Sequence, residues 1–165
     1  MKTLIVVRHA KSSWERFDQP DIERPLNDRG KKDAPEMAQR LKEKNIKIDL
    51  LVSSPAKRAK KTARLFAEEY KINKDNIQIV EELYEAASDT FYKVVATLPA
   101  KEKVVALFSH NPGITEFVNS LTNIRIDDMP TCGVFAVSAA IDEWTEFREA
   151  PKQFLFFDYP KNPLG

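Results

Sequence analysis

Thr3-Leu4-Ile5-Val6-Val7-Arg8-His9 opens the chain with a short apolar run that ends on a cation and an imidazole. Much later, Val104-Val105-Ala106-Leu107-Phe108-Ser109-His110 repeats the arrangement. An apolar run with no alternation is what a strand buried on both faces requires, as in a parallel sheet. Such sheets bind ligands at the carboxyl edge of their strands. His9 and His110 are the only histidines in the sequence, and both fall on that edge, which predicts one shared site.

The rest of the chain supplies the helices and strands such a sheet needs. Apolar residues recur at i, i+3, i+4 and i+7 in four segments, the spacing of a stripe along one helix face. The stripes are Ala34/Met37/Ala38/Leu41, Ala59/Ala63/Phe66/Ala67/Tyr70, Phe91/Val94/Val95/Leu98 and Ile114/Phe117/Val118/Leu121. Further β-rich runs lie at 50–53, 77–80, 134–139 and 154–157. Alternating strands and helices predict an α/β fold, a three-layer sandwich whose mostly parallel central sheet is flanked by helices. The last two runs have no helical stripe between them and are expected to add antiparallel strands. Ser54-Pro55 reads as the cap and first residue of the second helix, and Ser88 or Asp89 as the cap of the third. Pro99 closes the third helix and Pro112-Gly113 opens the fourth. Pro35 requires the first helix to start near Asp33 or to bend. The tail Tyr159-Pro160-Lys161-Asn162-Pro163 is expected to be irregular and frayed.

Composition narrows the function classes. At 165 residues the chain is read as one domain, residues 1–165, large enough to bury roughly 70% of its unfolded surface. The 26 Lys+Arg against 25 Asp+Glu leave a net charge of +1, without the basic excess that nucleic-acid binders use on backbone phosphates. No run is long enough for a membrane span or a signal-peptide core. Cys132 is the only cysteine, so no internal disulfide forms, and the expectation is a cytoplasmic enzyme. Gly-x-x-x-x-Gly-Lys, Gly-x-Gly-x-x-Gly and the spaced Cys/His sets of zinc sites are absent, so no nucleotide, dinucleotide or metal cofactor is expected. A Cys-x5-Arg phosphate loop starting at Cys132 would need arginine where Ser138 stands.

Four motifs carry a family resemblance. Arg8-His9-Ala10-Lys11-Ser12 resembles the Arg-His-Gly signature of the histidine phosphatase (phosphoglycerate mutase-like) superfamily, whose histidine is phosphorylated during turnover. Pro25-Leu26-Asn27-Asp28-Arg29-Gly30 resembles the turn before that superfamily's first helix. The segment from Asp49 to Ala59, with Thr62-Ala63, resembles the strand end and helix start that supply a phosphate-binding arginine, here Arg58. Ser109-His110-Asn111-Pro112-Gly113 resembles the segment of the second histidine. Order and spacing hold over roughly residues 3 to 120. The short length and the His-Asn-Pro-Gly segment are most similar to SixA-type phosphohistidine phosphatases.

The resemblance implies a phosphatase passing through phospho-His9, and the residue types suit that chemistry. Guanidinium forks bind two phosphoryl oxygens at once without losing their proton, which makes Arg8 and Arg58 the expected clamps. A neutral imidazole can attack phosphorus and later leave, the role of His9, while His110 donates to a nonbridging oxygen. Helix N-termini at Ser54-Pro55 and Pro112-Gly113 add amides and partial positive charge. Ser12 aligns with a phosphate-contacting position, and otherwise serves as a turn residue; Trp14 is expected to pack beside the site. Glu85, with Glu82 near it, is the candidate proton donor, although SixA-type proteins lack a clear counterpart and a phosphohistidine leaving group needs less help.

Only about 17 residues separate Glu85 from Lys103, where the mutases that share the family carry site-covering insertions. The expected substrate is therefore a phosphorylated protein of the histidine-phosphotransfer kind. Two readings stay open beside it: a phosphomonoesterase for sugar or nucleotide phosphates, and a noncatalytic phosphoprotein-binding module. On the second helix, Lys57, Lys60, Lys61 and Arg64 form a stripe separate from Arg58, either a solvated face or a docking face for an acidic or phosphorylated protein.

Overall fold

The computed structural model describes residues 1–16 and 18–163. Its six strands are β1 (Lys2–Arg8), β2 (Leu50–Ser53), β3 (Gln78–Ile79), β4 (Val104–Ser109), β5 (Val134–Ala139) and β6 (Lys152–Asp158). The four helices are α1 (Asp28–Glu43), α2 (Lys57–Glu69), α3 (Ser88–Ala96) and α4 (Gly113–Leu121). The strands form one sheet in the order β3-β2-β4-β1-β5-β6. From β3 to β1 the pairing is parallel; β5 is antiparallel to both β1 and β6.

Side-chain alternation divides the core between two faces. Leu4 and Val6 of β1, Val105 and Leu107 of β4, and Phe135 and Val137 of β5 point to one side. There α3 and α4 cover them with Phe91, Val94, Val95, Phe117 and Val118. Ile5, Val7, Ala106, Phe108, Val134 and Ala136 point to the other, under Met37, Ala38 and Leu41 of α1 and Ala63, Phe66 and Ala67 of α2. Leu4, Ile5, Val6 and Val7 are all fully buried, because β1 has helices over both faces. This is the expected three-layer α/β sandwich.

The connectivity fixes where a site can form. Neighbouring parallel strands β1 and β4 are aligned so that Arg8 lies opposite Ser109. The chain leaving β1 goes on to α1 on one face of the sheet, and the chain leaving β4 goes to α4 on the other. The two exits diverge and leave a crevice at the carboxyl ends of β1 and β4, the switch point of an open sheet.

Three local expectations are corrected, and one of the two alternatives for the first helix is removed. Helix α1 does not start near Asp33: Asn27 caps it, accepting from the Gly30 amide at 2.9 Å, and the helix runs through Pro35. Burial of the Met37, Ala38 and Leu41 stripe offsets the hydrogen bond that proline cannot make. Ser54 does not cap α2, which begins at Lys57 with Ala56 before it; its hydroxyl is engaged by His110 and the Ala56 amide. Neither Ser88 nor Asp89 caps α3, whose N-cap position is Ala87, and Asp89 instead pairs with Arg148 and Lys93. The tail is irregular but tied down. Arg40 donates to the carbonyls of Tyr159 and Pro160 at 3.0 and 3.1 Å, and the Asn162 amide closes a turn on Tyr159.

Candidate active site

The loop after β1 is held from three directions. The His9 amide donates to the Ser109 carbonyl of β4, and the His9 carbonyl accepts from the Cys132 amide ahead of β5. The Ala10 amide donates to Thr62 Oγ1 at 2.9 Å, and that hydroxyl donates to the Arg58 carbonyl at 2.8 Å. Thr62 therefore locks the His9 loop to the helix that carries Arg58. Close approach finishes the packing: a Cβ on Gly30 would collide with the Lys11 carbonyl, and one on Gly113 with that of Ala86. Glycine is required at both positions so that the helix starts can seat against neighbouring loops.

His9 is 5% exposed. Its Nδ1 lies 2.7 Å from the Ala10 carbonyl, a group that only accepts, so Nδ1 carries the proton and Nε2 presents its lone pair. Arg58 Nε donates to that nitrogen at 3.3 Å. Burial, with the positive field of Arg58 and Arg8 added, holds the imidazole well below its ordinary range despite the Ala10 carbonyl. The ring is therefore neutral at neutral pH.

His110 stands opposite, its ring centroid 5.2 Å from that of His9. Its Nε2 meets Ser54 Oγ at 2.5 Å, and its Nδ1 is buried with no partner among the described residues. The Tyr84 ring meets it edge-on at 5.7 Å. Burial first, then Arg58, pushes His110 down to about 3.

The guanidinium groups are anchored in different ways. Arg8 Nη1 donates to the Met129 carbonyl at 2.8 Å, a carbonyl shared with Asn111 Nδ2 at 3.1 Å; Arg8 Nε is buried without a partner among the described residues. Arg58 is 5% exposed and is held by Asp21. Its Nη1 donates to the Asp21 carbonyl at 2.7 Å and its Nη2 to the carboxylate at 3.0 Å. That carboxylate also accepts from Tyr84 Oη at 2.6 Å and Arg24 Nε at 3.0 Å. Burial opposes its ionisation, but these donors together with the Arg58 charge bring Asp21 down to about 2.

The pocket around these groups has a volume of ≈ 750 Å³. Arg8, His9, Arg58, His110 and Ser12 all line it, and Pro112 and Gly113 bring the amide end of α4 to its wall. Ser12 Oγ accepts from Arg24 Nη1 at 2.7 Å. Glu85 lines the rim, exposed and with φ 56°, whereas Glu82 is not part of the lining. Trp14 lines the pocket, beside the site as expected, and is 69% exposed with the Arg24 guanidinium 3.5 Å from its ring centroid. Cys132 is fully buried, and burial drives its thiol pKa far up. Sequence reading missed Asp21, Arg24 and Tyr84, and it placed Thr62 in the Arg58 segment without giving it a role. A carboxylate, a guanidinium and a phenol carry no local signal until the fold brings them together.

Known proteins resemble this chain in sequence and in fold. A chloroplastic protein of Arabidopsis thaliana is 26% identical over 153 residues, covering 88% of this chain and 70% of the relative. Among solved structures, the SixA-type protein of Agrobacterium tumefaciens superimposes with a TM-score of 0.78 at 23% identity, covering 96% of this chain and 98% of that one. A protein histidine phosphatase SixA complexed with tungstate gives a TM-score of 0.80 at 19% identity, covering 96% and 97%. These two likenesses show the fold, and the family is shown by sequence. The model of the histidine phosphatase superfamily (branch 1) matches residues 4–94, more than half of the chain, and the chain belongs to that superfamily.

Proposed function

We propose that this phosphatase hydrolyses phosphohistidine on a signalling or phosphotransfer protein, through a phospho-His9 intermediate and without a metal. Membership of the superfamily carries the coarser half, phosphatase chemistry. The observation that supports the phospho-His9 intermediate is the His9 ring: Nδ1–H is spent on the Ala10 carbonyl, and the Nε2 lone pair faces the Arg58 guanidinium. In the first step Nε2 forms a bond to phosphorus while the phosphorus–nitrogen bond to the substrate breaks, and the departing imidazole leaves neutral, keeping the proton that its other ring nitrogen already carries. Arg8, Arg58 and the partnerless Nδ1 of His110 take the phosphoryl oxygens, whose charge peaks in transit. Water then displaces His9 from phosphorus and inorganic phosphate leaves. Tungstate, bound by the SixA structure noted above, is a tetrahedral oxyanion of the same shape.

Openness of the cleft supports a protein substrate. The segment between Glu85 and Lys103 forms α3, and its Phe91, Val94 and Val95 are spent on the core rather than on a cover over the pocket. A second reading, a small phosphate ester, is favoured by Glu85, an exposed acid in the pocket lining of the kind an ester leaving group needs as proton donor. Glu85→Gln separates the two: ester turnover falls about 10²-fold if the carboxyl is a general acid, while phosphohistidine turnover stays within twofold.

The direct test is a single-turnover incubation with a protein carrying radiolabelled phosphohistidine, comparing the native chain with His9→Ala. Label should pass transiently onto the native chain alone and leave as phosphate. Retention of the phosphoprotein with neither label nor release would overturn the proposal in favour of a binding module.

A further inference from the structure

The segment from Gln19 to Leu26 is a wall shared by two cavities. Asp21 and Arg24 line the phosphate pocket, whereas Ile22, Glu23, Pro25 and Leu26 line a groove of ≈ 860 Å³ behind it. The opposite bank is the outer face of α2, with Lys57, Lys60, Lys61 and Arg64, joined by Lys31 of α1. None of these five cations enters an ion pair among the described residues, and Glu23 is the one acid in the groove lining. The whole chain carries only +1, so the concentration is local. Arg58, which grips Asp21 on the pocket side, is the residue after Lys57.

We propose that this basic groove docks an acidic surface of the phosphoprotein substrate, flanking its phosphorylated side chain, which then reaches over the Asp21 wall to His9. The proposal rests on the phosphoprotein reading above and extends it from the reacting group to the body of the partner. An apolar floor of Ile22, Pro25 and Leu26 with cations along the rim suits a protein face with apolar residues ringed by carboxylates. A uniformly charged nucleic-acid backbone would leave that floor unused. Rim charges of this kind steer encounter and act on kcat/KM and its salt dependence, leaving the chemical step alone.

The test is the triple variant Lys60→Glu, Lys61→Glu, Arg64→Glu, all on the side of α2 away from the core. The substrates are an acidic histidine-phosphotransfer protein phosphorylated with phosphoramidate, and p-nitrophenyl phosphate as the small control. Expected is a fall in kcat/KM for the phosphoprotein of about tenfold or more at low salt, shrinking as salt is raised, with kcat and the small substrate unchanged. The neutral triple variant to Gln should fall between the two. Equal kcat/KM of native and variant on the phosphoprotein would overturn the docking proposal, as would equal losses on both substrates. Duplex DNA that binds the native chain and not the variant, with phosphoprotein turnover unchanged, would also overturn it and assign the groove to nucleic acid. If the native chain turns over p-nitrophenyl phosphate but releases nothing from the phosphoprotein, the proposed function itself fails, and the docking surface with it.

Discussion

The ends of β1 and β4 lie side by side in register, and each delivers a histidine to the same pocket, yet the two rings are held by opposite nitrogens. His9 is tied through Nδ1 to its own neighbour's carbonyl and offers Nε2. His110 is tied through Nε2 to Ser54 at the end of β2 and leaves Nδ1 without a partner. Residue type, burial and depressed basicity are common to both. What separates a proposed nucleophile from a proposed donor is which nitrogen the surrounding chain has already claimed.

The sharpest way to break this division is to remove each ring in turn. His9→Ala should lower turnover by about 10⁴-fold or more and abolish phosphoenzyme labelling. His110→Ala should lose about 10²–10³-fold yet still accumulate label on His9. If both variants fail to label, the two rings act as one unit and the division collapses. Smaller is the effect of Asp21→Asn, which removes the carboxylate charge that holds Arg58 but keeps the shape. A loss of about tenfold in kcat/KM is expected from a misplaced guanidinium, and Arg58→Lys should fare worse, since an ammonium cannot reproduce the fork. An unchanged kcat/KM for Asp21→Asn would show that Arg58 holds its place unaided.

Proton binding gives the mildest test. Both imidazoles are depressed, His110 to about 3, so below the unfolded value of about 6.5 the unfolded chain takes up protons that the folded chain refuses. Stability from these two groups is therefore full above that pH and declines as pH falls toward the folded values. Denaturant melts across the acid range measure it, and NMR should find both rings neutral below pH 6.5, with activity persisting there. Bound tungstate, an anion, should raise both. A His9 ring charged throughout the active range would contradict the nucleophile assignment.

The sheet was legible because burial on both faces leaves an unbroken apolar signature. The bounds expected for the β2, β4 and β5 runs are those observed, and both histidines meet where strand ends implied. Long-range partners left no such mark. Thr62 reads as part of the Arg58 segment but with no task until the fold sets it against the Ala10 amide, and Asp21 reads as a surface acid until Arg58, Arg24 and Tyr84 converge on it. Where local and tertiary preferences compete, the tertiary ones prevail. Ser54-Pro55 has the signature of a helix start, but its hydroxyl goes to His110. Pro35 penalises its helix, but the stripe beneath it keeps the helix whole.

The burial of Cys132 has a consequence for the conditions under which this chemistry runs. Peroxide disables phosphatases that attack with a thiolate, because the low-pKa sulfur that makes them nucleophilic also makes them oxidisable. Here the single thiol is sealed in the core with its proton held on, and the proposed attacking atom is a ring nitrogen. Phosphate release should continue through an oxidative burst that silences thiolate-based phosphatases, and alkylating reagents should leave it untouched.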